Sequence, residues 1–332
     1  ETTEGPVLIL AGAGSGKTRA LTHRIAYLLD RGVQPWNILA LTFTNKAARE
    51  MRERVEQLSD ERGGGVWVST FHSCCAKMLR IDIDKMGFSR DFVIYDESDQ
   101  LSLIVEIQKA LNLRDEEYPK RSLRAVFSEA KNRSLQPEAY LAEAGGFKAE
   151  AYCAAFKLYQ KKLAENNALD FDDLLMRTLE LFEKCPEVLE KYQKRFQYIH
   201  VDEYQDTNVS QYQFVRMLAK GHGNLCVVGD DDQSIYGWRG ADIRNILGFE
   251  KDFPNATVLR LEQNYRSTGY ILDAANAVIS RNTERKRKRL WTDRGKGEKL
   301  TLYSAWSERD EADFVGRVIT LEAEKRKYGD FA

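Results

Sequence analysis

At 332 residues the chain is long enough for two or three domains with sizeable cores. Fifty Lys and Arg stand against 51 Asp and Glu, for a formal net charge of -1, so composition supplies no global attraction to an acidic partner, and any nucleic-acid surface must be a local patch. Cys74, Cys75, Cys153, Cys185 and Cys226 lack paired metal-ligand spacing and the four histidines are scattered, which argues against a zinc site or a disulfide framework. Reduced thiols in a soluble cytoplasmic protein without a membrane partner are the expectation: no apolar run approaches a membrane span, and residues 1–6 are not a signal peptide.

The first element is an apolar run, Pro6 to Leu10, that reads as a strand and feeds Ala11-Gly12-Ala13-Gly14-Ser15-Gly16-Lys17-Thr18 before a helical pattern to about Arg31. Strand, glycine-rich turn and helix form the context of a phosphate-binding P-loop, although the strict pattern opens with Gly where this chain has Ala11. Small residues let the backbone N–H groups converge on one spot and the helix adds its positive end. Lys17 can then reach terminal phosphates, and Thr18 can hold Mg²⁺. Ile38 to Thr44 leads into a helix from Lys46 to Leu58, and Val66 to Thr70 into a helix opening near Ser73. This alternation predicts an α/β fold with a parallel sheet covered on both faces.

The rhythm then breaks. From about Phe88 to Phe196 the apolar spacing is helical, in Leu101 to Leu111, Ser122 to Lys131, Ala149 to Glu165 and Phe171 to Phe182, and predicts an all-helical insertion. Strands resume at Tyr198 to Val201, Leu225 to Val228 and Val258 to Leu261. The first of these delivers Asp202 and Glu203 at its end, the pair a nucleotide hydrolase needs: Asp202 to hold Mg²⁺ and Glu203 to orient and deprotonate water. A second domain begins near Tyr265, with a helix from Thr268 to Ser280, a basic run Arg285 to Arg289 whose default reading is a solvated face, and a strand at Leu300 to Tyr303.

Six ordered segments carry a resemblance: Ala11 to Thr18, Thr42 to Ala48, Thr70 to Ser73, Asp202 to Asn208, Gly229 to Ala241 and Glu262 to Ser267. Together with Leu169-Asp170-Phe171-Asp172-Asp173-Leu174, they resemble the UvrD/PcrA/Rep family of superfamily 1 DNA helicases from end to end, PcrA-type members most closely. The resemblance implies a RecA-like P-loop domain formed by residues 1–87 and 197–264, an inserted helical domain at 88–196 and the incomplete beginning of a second RecA-like domain at 265–332. It further implies that Gly12, Ala13, Gly14, Ser15, Gly16, Lys17 and Thr18 bind ATP, that Gln233 senses the γ-phosphate, that Arg266 stabilises transition-state charge, and that Arg19 and Tyr265 flank base and sugar.

DNA contacts are expected from the other sheet edge, at Phe43, Thr44 and Asn45, at Thr70, Phe71 and His72, and at Tyr236, Trp238 and Arg239, with Phe171 of the insertion as a further contact. Exposed aromatics on loops suit base stacking that tolerates any sequence; the same rings could instead plug the core, and His72 could be a helix-capping residue. The implied activity is ATP-dependent, 3′-to-5′ translocation on single-stranded DNA with unwinding of partly duplex DNA, alongside repair or replication proteins. Two other readings stay open, a nucleotide-gated DNA-binding module without turnover and a P-loop kinase acting on a small molecule. The glutamine segment that precedes the P-loop strand in the family, and its later motifs with their arginine finger, do not occur in this sequence. It therefore reads as an N-terminal fragment, expected to bind nucleotide and single strands without unwinding duplex.

Overall fold

The structure, a computed structural model, describes residues 2–60, 62–146, 148–283 and 285–331. Its strands are β1 (Val7–Ala11), β2 (Ile38–Thr42), β3 (Trp67–Thr70), β4 (Val93–Tyr95), β5 (Ala168–Asp170), β6 (Tyr198–Val201), β7 (Leu225–Gly229) and β8 (Thr257–Leu261). The early helices are α1 (Lys17–Asp30), α2 (Asn45–Leu58), α3 (Phe71–Asp82), α4 (Glu97–Ala110), α5 (Lys120–Asn132), α6 (Pro137–Ala144) and α7 (Ala149–Glu165). They are followed by α8 (Phe171–Lys184), α9 (Pro186–Arg195), α10 (Val209–Ala219), α11 (Arg244–Leu247), α12 (Phe249–Asp252), α13 (Gly269–Ile279) and α14 (Glu308–Glu322).

Every residue of β1, β2 and β7 is buried, as befits parallel strands covered on both faces. They belong to a six-stranded sheet of order β3-β2-β6-β7-β1-β8 in which every pairing is parallel. Leu21, Ile25, Met51 and Val55 of α1 and α2 seal one face. Met78, Phe182, Tyr192 and Phe214, from α3, α8, α9 and α10, seal the other. Each such side chain contributes about 1.5–3 kcal/mol of burial. A third core, with Ile107, Phe127, Phe156 and Tyr159, joins α4, α5 and α7 in the stretch inserted between α3 and β6.

Three expectations change. The insertion is not all-helical, because β4 and β5 pair in parallel; three-residue strands are too short to show a period of two in sequence. Helices α8 and α9, although within 88–196, send Leu174, Leu181, Val188 and Tyr192 into the core of the sheet. Leu300 to Tyr303 is not a strand: no described residue pairs with it, and Leu302 is 96% exposed. Nearby, α13 buries only Leu272 and α14 buries none of its residues.

Polar contacts tie α5 to β5 and α8, and through Asn208 to the loop before α10. Lys131 of α5 is fully buried between Asp170 at 2.6 Å and Asp173 at 2.8 Å, and the Tyr159 hydroxyl donates to Asp170 at 3.0 Å. At the end of α5, Asn132 accepts from Asn208 at 2.5 Å and donates to Asp172 at 3.2 Å. No described helix is long and apolar enough to cross a membrane.

Candidate nucleotide site and adjoining aromatic loops

Because all six strands run the same way, the loops after β1, β2, β3, β6 and β7 emerge on one edge. This corrects the expectation of two opposed edges: the aromatic loops share the edge of the P-loop and are displaced along it. The backbone after β1 turns through Gly14 at φ 70° and Gly16 at φ 92°, a left-handed region open to glycine at little steric cost. A Cβ on Gly14 would also stand 2.7 Å from Asn264 Nδ2. Ser15 closes the loop, its backbone N–H and its hydroxyl both donating to the Gly12 carbonyl, at 3.2 and 2.7 Å. Gly16 gives α1 no side-chain cap, which leaves the first N–H groups of that helix for an anion.

Strand β6 brings the two carboxylates to this loop. The Lys17 ammonium is 3.0 Å from Glu203 Oε2, and the Thr18 hydroxyl donates to Asp202 Oδ2 at 2.9 Å. Asp202 is 3% exposed; burial, helped by the Glu203 charge, pushes its pKa up to about 6. Glu203 sits at φ 50°, ψ 44°, a conformation that costs a non-glycine residue about 1–3 kcal/mol and aims its carboxylate at Lys17. The Thr18 hydroxyl and Asp202 carboxylate are hard oxygen donors side by side, a donor set that fits Mg²⁺.

Two residues outside the sequence-derived assignments organise the site. Gln205 donates to Glu203 Oε2 at 3.0 Å and to Asp206 Oδ2 at 3.2 Å, while its Oε1 accepts the Asp230 backbone N–H at 2.9 Å. Burial and the Glu203 charge raise Asp206 to about 6 as well. Gly229 makes room for this, since a Cβ there would lie 2.6 Å from Gln205 Oε1. Asn264, 1% exposed, donates to the Ala13 carbonyl at 2.6 Å and accepts from the backbone of Arg266 and Ser267 at 2.8 and 2.7 Å. With Tyr265 N–H on the Gly14 carbonyl at 3.0 Å, this fixes Tyr265 and Arg266 at the lip of the P-loop. Both side chains are exposed, as is Arg19. Gln233 donates its amide to Asp230 Oδ2 and so joins the site through Asp230 and Gln205.

Further along the edge, Thr44 caps α2 by accepting from Ala47 N–H at 3.1 Å, with Asn45 exposed beside it. Thr70 caps α3 in the same way, accepting from Ser73 N–H at 3.3 Å. Phe71 departs from expectation: it is 1% exposed, packed between Phe43 and Phe214 at centroid distances of 5.6 and 6.4 Å, so it supports Phe43 from the core and offers no face to a base. His72 lies under Phe171 with ring centroids 4.0 Å apart and planes 24° from parallel. Burial lowers the His72 pKa to about 4, so the imidazole is neutral at pH 7, and the Phe171 ring is left 54% exposed. Tyr236 and the 74% exposed Trp238 lie 6.4 Å apart after β7; the Arg239 side chain is outside the described residues. The basic run is a solvated face only in part: Arg287 and Arg289 are exposed, whereas Lys288 is buried and, like Arg285, pairs with carboxylates that follow β7. Local sequence could not show those partners.

Residues 1–254 match the UvrD/REP helicase N-terminal domain and residues 259–332 the UvrD-like helicase C-terminal domain. The chain is 56% identical over 335 residues to the ATP-dependent DNA helicase PcrA of Bacillus subtilis, covering 100% of this chain and 45% of that protein. It is 55% identical over 334 residues to the protein of the same name from Staphylococcus aureus strain COL, and 54% identical over 333 to that of Staphylococcus epidermidis, each time covering 100% of this chain and 46% of the relative. The chain thus spans about half the length of the curated relatives it matches.

Proposed function

This chain belongs to the UvrD/REP helicase family, and from that premise we propose that it acts in an ATP-dependent DNA helicase, coupling ATP hydrolysis to 3′-to-5′ movement along single-stranded DNA and to unwinding in cytoplasmic DNA repair and replication. The observation that carries the reading is the double contact of the P-loop with the end of β6, Lys17 to Glu203 at 3.0 Å and Thr18 to Asp202 at 2.9 Å, on the edge that also carries the exposed aromatics.

The phosphates of ATP seat in the loop from Gly12 to Thr18, chiefly on the N–H groups at the N-terminus of α1. A phosphate arriving at Lys17 competes for its ammonium and frees the Glu203 carboxylate to take the proton of an attacking water. Thr18 and Asp202 would hold Mg²⁺, which when bound neutralises phosphate charge. Gln233 reads the terminal phosphate, Arg266 meets charge developing in the transition state, and Tyr265 and Arg19 border the base and sugar. Phe43, Phe171 backed by His72, and Trp238 with Tyr236 form stacking platforms, each contributing about 1–3 kcal/mol per base whatever the sequence. Thr44, Asn45, Thr70 and Arg239 serve the DNA backbone around them.

The test is steady-state ATP hydrolysis with and without oligo-thymidine, together with nucleotide binding. Hydrolysis stimulated by DNA is expected, falling by roughly 10²–10⁴ in Glu203→Gln while nucleotide binding persists. Binding without turnover in the unsubstituted chain would instead support a nucleotide-gated DNA-binding module, and failure to bind nucleotide would overturn the reading of the P-loop.

A further inference from the structure

The Lys288 side chain, 2% exposed, places its ammonium 2.7 Å from Asp230 Oδ1, 2.5 Å from Asp231 Oδ1 and 2.9 Å from Asp232 Oδ2. Arg285 adds a two-pronged pair to Asp232 at 2.8 and 2.5 Å, and the Lys286 backbone N–H donates to Asp231 at 2.8 Å. Ligand oxygens of the three consecutive aspartates lie within 4.8 Å of one another, and their mutual repulsion in a half-dry site would drive them apart without cations between them. Burial disfavours the Lys288 charge, but Asp230 and the hydrogen bonds to all three carboxylates outweigh that and raise its pKa.

Asp230 faces two ways. Its Oδ1 takes the Lys288 ammonium, and its Oδ2 takes the amide of Gln233. The segment bearing Lys288 is anchored again two residues on: Leu290 is bracketed by Asn276, and its side chain fills the space over Gly12, 2.2 Å from where a Cβ would stand. One short stretch therefore holds both the P-loop and the loop of Gln233.

We propose that Lys288 is a positioning residue for Gln233: by fixing Asp230 it sets where the Gln233 amide stands, and so governs how well the site distinguishes a nucleoside triphosphate from a diphosphate. The inference rests on the reading of Gln233 given above.

The experiment measures the affinities of the chain for ADP and for a non-hydrolysable ATP analogue, and compares their ratio across variants. Gln233→Ala and Lys288→Met should each lower the preference for the analogue about tenfold and leave ADP binding in place, and the double variant should be no worse than either. Lys288→Arg, which keeps the charge, should recover most of the preference. Should Lys288→Met fail to fold, Asp230→Asn relieves repulsion, cuts the same link and should give the same loss. If Lys288→Met and Asp230→Asn keep the original ratio, or weaken both ligands equally, while Gln233→Ala lowers the ratio, the inference is overturned and the reading of Gln233 stands. An unchanged ratio in Gln233→Ala overturns that reading and the inference with it.

Discussion

Gly14 is doubly constrained, by its φ of 70° and by the contact of Asn264 with the space a Cβ would fill. Gly14→Ala is expected to weaken nucleotide binding at least about tenfold, because strain and the displacement of Asn264 both distort the loop that holds Tyr265 and Arg266. A nucleotide titration checks it. Asp172 permits a pH prediction. Burial, then the charge of Asp170, raises its pKa from 3.8 to about 6, so the folded chain binds this proton more tightly than the unfolded one. Stability is therefore greatest below the unfolded value and declines as pH rises through about 6, by on the order of 2 kcal/mol. Asp172→Asn should raise the melting temperature at pH 7.5 by a few degrees, with the gain shrinking toward pH 4.5 in a thermal melt series. Lys17, Thr18, Asp202 and Glu203 were legible in sequence because phosphate chemistry demands those residue types in a fixed local order. The roles of Gln205 and Asn264 were not, although both stand in segments that carry the resemblance: Gln205 acts on Asp230, 25 residues away, and Asn264 on Ala13, 251 away, and no local pattern encodes such pairs.

At the level of elements, α5 and α8 are joined by an ion cluster where an apolar contact would be usual. Lys131→Met leaves Asp170 and Asp173 buried without their cation and should cost about 3–5 kcal/mol in denaturant unfolding. In the sequence Lys131 looks like any polar residue of an amphipathic helix; its burial follows from the capping box of α8, where Asp170 and Asp173 exchange hydrogen bonds with each other's backbone and converge on one point. The strands of the large sheet were readable because long apolar runs alternate with helical spacing. The pair β4 and β5 was not, since three residues carry no period, and Leu300 to Tyr303 shows the converse, a strand-like composition with no described strand beside it.

On the scale of the whole molecule, three apolar cores account for residues 7–261, whereas residues 298–331 add none of the buried apolar side chains, and Trp306 is 98% exposed. Stability should be distributed accordingly. Limited trypsin treatment is expected to cut first between Arg294 and Lys327 and to leave a resistant product that retains the large sheet; early cleavage within residues 17–230 would contradict this. The strand order has a mechanical consequence. Strand β6, with the carboxylates at its tip, lies between β2, which leads to Phe43, and β7, which leads to Gln233. Neighbouring strands are about 4.8 Å apart. On the function proposed above, a change at the nucleotide phosphates would need no lever arm to be felt at a stacked base: it would pass sideways through the hydrogen-bonded backbone, one strand's width at a time, with β6 as the common toll gate for traffic in either direction.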